Sequence, residues 1–81
     1  MRLLDIIILS PQQGIIFQGK ANSVIVPGDR GVFEILPFHK RIISRLLAGK
    51  LSIDGRSFPL HRGIVEVNQN HVTIILEENG S

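Results

Sequence analysis

The groups in this chain that could ligate a metal, relay a proton or attack a carbonyl are His39, His61 and His71, seven carboxylates and a set of serines. No histidine has a second ligand two to four residues away, the spacing that brings two donors to one ion. The sequence therefore predicts no metal site, and the histidines read as surface or hydrogen-bonded groups. The carboxylates, Asp5, Asp29, Glu34, Asp54, Glu66, Glu77 and Glu78, are scattered, and those in turn contexts serve turn geometry. Only the fold could pair two of them for acid-base work. Ser10, Ser23, Ser44, Ser52 and Ser57 lack a nucleophile elbow. No catalytic residue and no cofactor is expected.

Binding chemistry is better represented. Arg30, Lys40, Arg41, Arg45 and Lys50 cluster in the middle of the chain, where they can meet phosphates or lipid headgroups, or form a solvated face that keeps an apolar protein dispersed. The turn Pro27-Gly28-Asp29-Arg30-Gly31 invites comparison with an anion-binding loop, but it lacks the spacing of either glycine-rich phosphate motif. A structural turn is the simpler reading. Within Pro37 to Leu51, Ile42, Ile43, Leu46 and Leu47 follow the spacing of an amphipathic helix, with Gly49 placed as its C-cap. Local rules thus predict a short basic helix there.

The elements that must position these groups are mostly strands. The 81 residues are enough for one small domain with a thin core. Apolar residues make up 43% and charged ones 20%, an ordinary globular composition that argues against disorder. Absence of cysteine removes disulfide and thiolate chemistry, and a net charge of +2 gives only weak attraction for nucleic acid. The apolar run Ile6 to Leu9 is too short to span a membrane, and Asp5 and Pro11 flank it where a signal peptide needs a longer stretch.

Isoleucine, valine and leucine dominate, and turn residues recur at short intervals, as in all-β sandwiches and barrels. The alternation predicts strands over Leu3–Leu9, Ile15–Phe17, Ala21–Val26 and Val32–Leu36. It then predicts Leu51–Ile53 and Phe58–Leu60 as a hairpin around Asp54-Gly55, a dipeptide suited to a type I′ turn. Pro59 cannot donate to a ladder, so that strand belongs at an edge. Val65 and Val67, a turn at Asn68-Gln69-Asn70, and Val72, Ile74 and Leu76 make a second hairpin. A polar tail ends the chain.

The run "VIVPGDRGVFEILPFHKRIISRLLAGKLSI", followed by "LHRGIVEVNQNHVTIILEE", resembles the amino-terminal domain of the epsilon subunit of F-type ATP synthases. The likeness rests on an ordered series of motifs. These are Val24 to Gly28, Gly31, Ile35-Leu36-Pro37-Phe38-His39, Leu46-Leu47-Ala48-Gly49 and Gly63-Ile64-Val65-Glu66-Val67, preceded by "LDIIILSP" and "FQG". The chain departs from the family at Glu34 and Phe38, where glycine is usual, at Lys40-Arg41, where Ala-Pro is usual, and at Arg62, where a second glycine is usual.

The resemblance implies a flattened all-β sandwich of about ten short, mostly antiparallel strands over residues 1–78, with 79–81 as tail. It implies a non-catalytic rotor subunit that joins the gamma subunit to the c-ring and couples proton flow to ATP synthesis. Such a subunit lies on the cytoplasmic face of the inner (plasma) membrane, peripheral and held by the complex. Asp29, Arg30, Gly31, Val32 and Phe33 correspond to the family's c-ring-facing loop, and Ser10, His39 and Ser44 to gamma-facing positions. Phe38, Lys40 and Arg41 adjoin that signature and adapt the chain to its own partners, with Arg30 and Lys40 expected to favour acidic or carbonyl-rich c-ring loops. Typical members continue into a carboxy-terminal helical hairpin associated with ATP binding and restraint of hydrolysis, so a chain ending here is expected to lack both activities. In this frame residues 42–47 are extended, although Arg41 stands where the family's proline blocks a helix. A small basic β-barrel that binds nucleic acid is the alternative reading.

Overall fold

In the computed structural model, which describes residues 3–77, nine strands form one curled sheet and no described residue is helical. They are β1 (Leu4–Ser10), β2 (Gly14–Ala21), β3 (Val24–Gly28), β4 (Gly31–Ile35), β5 (Ile42–Leu46), β6 (Gly49–Ile53), β7 (Arg56–Leu60), β8 (Gly63–Asn68) and β9 (His71–Leu76). The order across the sheet is β2-β1-β9-β8-β5-β3-β6-β7, with β4 paired to β3. Every pairing is antiparallel except β1 with β9. The all-β expectation holds. The tail at 79–81 lies outside the described residues.

Period-two alternation builds the core. Leu4, Ile6 and Ile8 of β1, Val24 and Val26 of β3, Val65 and Val67 of β8, and Val72 and Ile74 of β9 are all buried. Side chains of alternate residues fall on one face of a strand, so these sets point the same way without adjustment. The sheet bends sharply between β5 and β3, which meet at a single pair, Gly28 with Leu46. That corner brings the first five strands of the order over the remaining ones. The free ends of the sheet then face each other, and the rings of Phe17 on β2 and Phe58 on β7 meet with centroids 5.7 Å apart and planes tilted by 57°. An apolar contact of this geometry closes the seam where no ladder does. Pro59 sits on the terminal strand β7, where the missing N–H costs no pairing.

Two hairpins follow the sequence closely. Asp54 and Gly55 have φ of 47° and 86°, and Gln69 and Asn70 have 51° and 65°. Positive φ at both central residues defines the type I′ turn, whose twist matches that of the flanking strands. Asn68 itself pairs with His71, so the second turn is the two residues 69 and 70.

Two readings of the sequence are corrected by the structure. The predicted strand Ala21–Val26 is the end of β2 and the start of β3, broken at Asn22 and Ser23. Asp54 causes the break by accepting the N–H groups of both residues, at 3.0 to 3.2 Å, which draws them out of either ladder. The local helix over 42–47 is also absent. Residues Ile42–Leu46 pair with β8 at five consecutive positions, as the family frame required. An i, i+4 pair such as Ile42 and Leu46 lies on one face of a helix and equally on one face of a strand, so the spacing alone does not discriminate. The ladder does, at the cost of leaving Ile43 and Leu47 exposed.

Candidate functional site

The strand directions sort the chain's turns into two groups at opposite ends of the strands. At one end lie the β1–β2 turn, the β3–β4 turn and the starts of β6 and β8. At the other lie the segment between β4 and β5, the β6–β7 turn and the β8–β9 turn. The first end presents Asp29 and Arg30, a two-residue turn between paired Gly28 and Gly31. Gly31 takes φ of 124°, which glycine adopts freely. Gly28 is required for a different reason: a Cβ there would stand 2.7 Å from the ring of Phe33. The ring folds over the turn and stiffens it, while Val32 is 72% exposed.

Asp29 and Arg30 share a cleft with Ile43, Ser44 and Arg45. The cleft opens because β3 leaves β5 after one pair, exposing the edge of β5. The fold thus joins the loop expected to face a c-ring to Ser44, expected to face gamma. Ser44 donates its hydroxyl to the carbonyl of Arg45 at 3.1 Å. Ser10 lies elsewhere at this end and is buried; its Oγ accepts the N–H groups of Gln12 and Gln13 at 3.3 and 3.2 Å, fixing the β1–β2 turn.

His39 is at the far end, on a turn closed by its own N–H to the carbonyl of Leu36 at 3.1 Å. Its Nδ1 lies 2.7 Å from the carbonyl oxygen of Lys40. Ser10, His39 and Ser44 therefore line three separate clefts. Arg30 and Lys40 are likewise set apart by the length of β4, roughly 16 Å for a five-residue strand, so they do not form one cationic patch.

Across the outer face of the first five strands, Ile15, Leu9, Ile75 and Ile64 stand in one cross-strand row that ends on Arg45. Ile15, Ile75 and Ile64 are each about half exposed, at 57, 46 and 47%. The clue in the sequence was the failure of alternation in Ile6-Ile7-Ile8-Leu9 and Ile74-Ile75-Leu76, where both faces are apolar. The ion pairs on this surface are exposed: Lys20 with Asp5 at 3.3 Å and Arg41 with Glu66 at 3.9 Å. Such pairs contribute little to stability. Among the described residues no three metal-binding side chains converge, and no helix is long and apolar enough to cross a membrane. One apolar row ending on Arg45 suits this surface to contact with another protein.

Residues 3–79 match the family described as ATP synthase, Delta/Epsilon chain, beta-sandwich domain. The chain belongs to this family. It is 38% identical over 82 residues to the ATP synthase epsilon chain of a Nitratiruptor species, covering 95% of this chain and 63% of that one. The epsilon chain of Chlorobaculum tepidum is also 38% identical, over 76 residues, with 88% of this chain and 85% of that one covered. A chain in the structure of the Tetrahymena thermophila mitochondrial ATP synthase central stalk and c-ring shares the fold, with a TM-score of 0.78 at 13% identity, over 95% of this chain and 65% of that one. This sequence spans about three fifths of the length of the Nitratiruptor relative. Epsilon chains are non-catalytic subunits.

Proposed function

We propose that this epsilon-type chain is a central-stalk subunit of a proton-translocating F-type ATP synthase, docked on the gamma subunit and touching the polar loops of the c-ring. In that position it couples ion flow to ATP synthesis, and the complex holds it at the cytoplasmic face of the inner membrane. The observation that carries the reading is the Asp29–Arg30 turn, exposed between the paired ends of β3 and β4 and braced by Phe33 over Gly28. A rotor contact needs a tip that does not yield under load, and a two-residue turn between paired strands supplies one. Arg30 has no carboxylate within 4.0 Å among the described residues, so its guanidinium is available to acidic or carbonyl groups of a partner. Val32, Gly31 and Asp29 complete that contact. Ser44 and His39 serve the gamma side directly, and Ser10 serves it by fixing the turn at 11–13.

A nucleic-acid function needs a continuous basic track, and Asp29 beside Arg30 and Glu66 beside Arg41 interrupt one here. The rotor reading is tested by Arg30→Glu in the complete enzyme reconstituted into vesicles. Proton-driven ATP synthesis is expected to fall while ATP hydrolysis persists; unchanged coupling counts against the reading.

A further inference from the structure

The turn at residues 36–39 holds an unusual residue. Leu36 and His39 close it, Pro37 occupies its second position, and Phe38 occupies its third with φ of 67°. Positive φ at that position defines a type II turn and suits glycine, whereas a bulky L-residue is an outlier there. The ring lies outside the hydrophobic core and only borders the shallow cleft it shares with His39, Gln69 and His71. Phe38 is 76% exposed, more than any other large apolar residue described, and its ring meets no other aromatic ring among the described residues.

The seat of the ring is nevertheless rigid. The N–H of Phe38 donates to Oδ1 of Asn70 at 2.6 Å, and Asn70 is only 6% exposed. Asn70 in turn accepts the N–H of Asp5 on its own carbonyl at 2.8 Å. A buried asparagine 32 residues away thus fixes both the conformation and the direction of the turn. Backbone strain of this kind persists where surrounding structure imposes it, and it concentrates at sites of recognition. Half-exposed Leu36 opens the same turn, and Lys40 and Arg41 follow it. Lys40 has no carboxylate within 4.0 Å among the described residues, and Arg41 reaches Glu66 only at 3.9 Å.

We propose that Phe38 is an aromatic anchor, held outside the fold by the Asn70 clasp, which inserts into an apolar pocket with a carboxylate rim on the gamma subunit. The inference rests on the central-stalk reading and adds to it the residue that fixes partner choice. A preorganised ring loses little freedom on binding, and aromatic anchors of this type dominate interface energetics. Lys40 and Arg41 meet the rim, where they contribute to specificity.

The test compares wild-type chain with Phe38→Gly and Phe38→Tyr, titrated onto the catalytic core that contains gamma but lacks this subunit. Phe38→Gly removes the ring and relieves the positive φ, so its thermal midpoint should equal or exceed that of wild type while affinity for the core falls at least tenfold. Phe38→Tyr should stay within threefold of wild type. Binding of Phe38→Gly within twofold of wild type overturns the anchor and leaves the central-stalk reading intact. Failure of the wild-type chain itself to bind the core overturns both. Self-association of the wild type that Phe38→Gly abolishes, with unchanged affinity for the core, assigns the ring to contacts between copies and also overturns the proposal.

Discussion

Asp54 and Ser23 grip each other twice: the N–H of Asp54 donates to the carbonyl of Ser23 at 3.0 Å, and Oδ1 of Asp54 accepts the N–H of Ser23 at 3.0 Å. The same carboxylate takes the N–H of Asn22. One residue at the tip of the β6–β7 hairpin therefore sets where β2 ends and β3 begins. Replacing Asp54 by alanine removes a charged acceptor of two N–H groups and puts a less tolerant residue at positive φ. A loss of about 1 to 2 kcal/mol is expected in urea denaturation. Asp54→Asn, which keeps one acceptor oxygen and tolerates the left-handed region, should lose about half as much.

Gly63 has no room for a side chain. A Cβ there would lie 2.6 Å from the carbonyl oxygen of Ile75, a backbone atom of the paired strand β9. Gly63→Ala is expected to cost about 2 to 3 kcal/mol by forcing β8 and β9 apart. Gly14 gives the contrast: it has φ of 79° and nothing within 4 Å of a built Cβ. Gly14→Ala should therefore cost only the conformational term, about 1 kcal/mol. Equal losses at the two positions in the same denaturant titration would contradict this assignment of causes.

The extended form of β5 separates residues that a helix would treat alike. Leu46 is 2% exposed and Ile43 is 65% exposed. Leu46→Ala is expected to destabilise by about 2 to 4 kcal/mol through loss of burial and the cavity left behind. Ile43→Ala should change stability by less than about 0.5 kcal/mol. A helix would bury both on one face, so comparable losses in thermal denaturation would point to that alternative.

The Phe17–Phe58 contact is the seam between the two free ends of the sheet. A double-mutant cycle with leucine at both positions should give a coupling energy of about 0.5 to 1.5 kcal/mol, the range for tilted aromatic pairs beyond their burial. A coupling near zero in guanidinium titrations would mean that the seam is held by the rest of the core alone.

Much of this architecture was legible in the order of residue types. Alternation in Val24/Val26, Val65/Val67 and Val72/Ile74 marks inward faces because a strand's side-chain period is two, whatever surrounds it. Asp54-Gly55 marks its turn because few residues tolerate positive φ. The motif series marked the family for most of the length of the chain. Residues 42–47 resisted local reading because their spacing satisfies two periods at once. The break at Asn22 and Ser23 was hidden because its cause, Asp54, is 31 residues away from Ser23.

The candidate surfaces divide in the same way. An all-β domain, its strong hairpins, its family and the residue types of the exposed turns follow from residue order alone, since these depend on neighbours along the chain. Folding was needed to set Asp29 and Arg30 beside Ser44 and Arg45, to carry Lys40 to the other end, and to align Ile15, Leu9, Ile75 and Ile64 in one row. Folding also joined Phe38 to Asn70. The reason is that register and curvature are collective: burial of the core and pairing of the ladders are satisfied across the whole sheet. Surface neighbours are set by that solution, and no local stretch of sequence contains it.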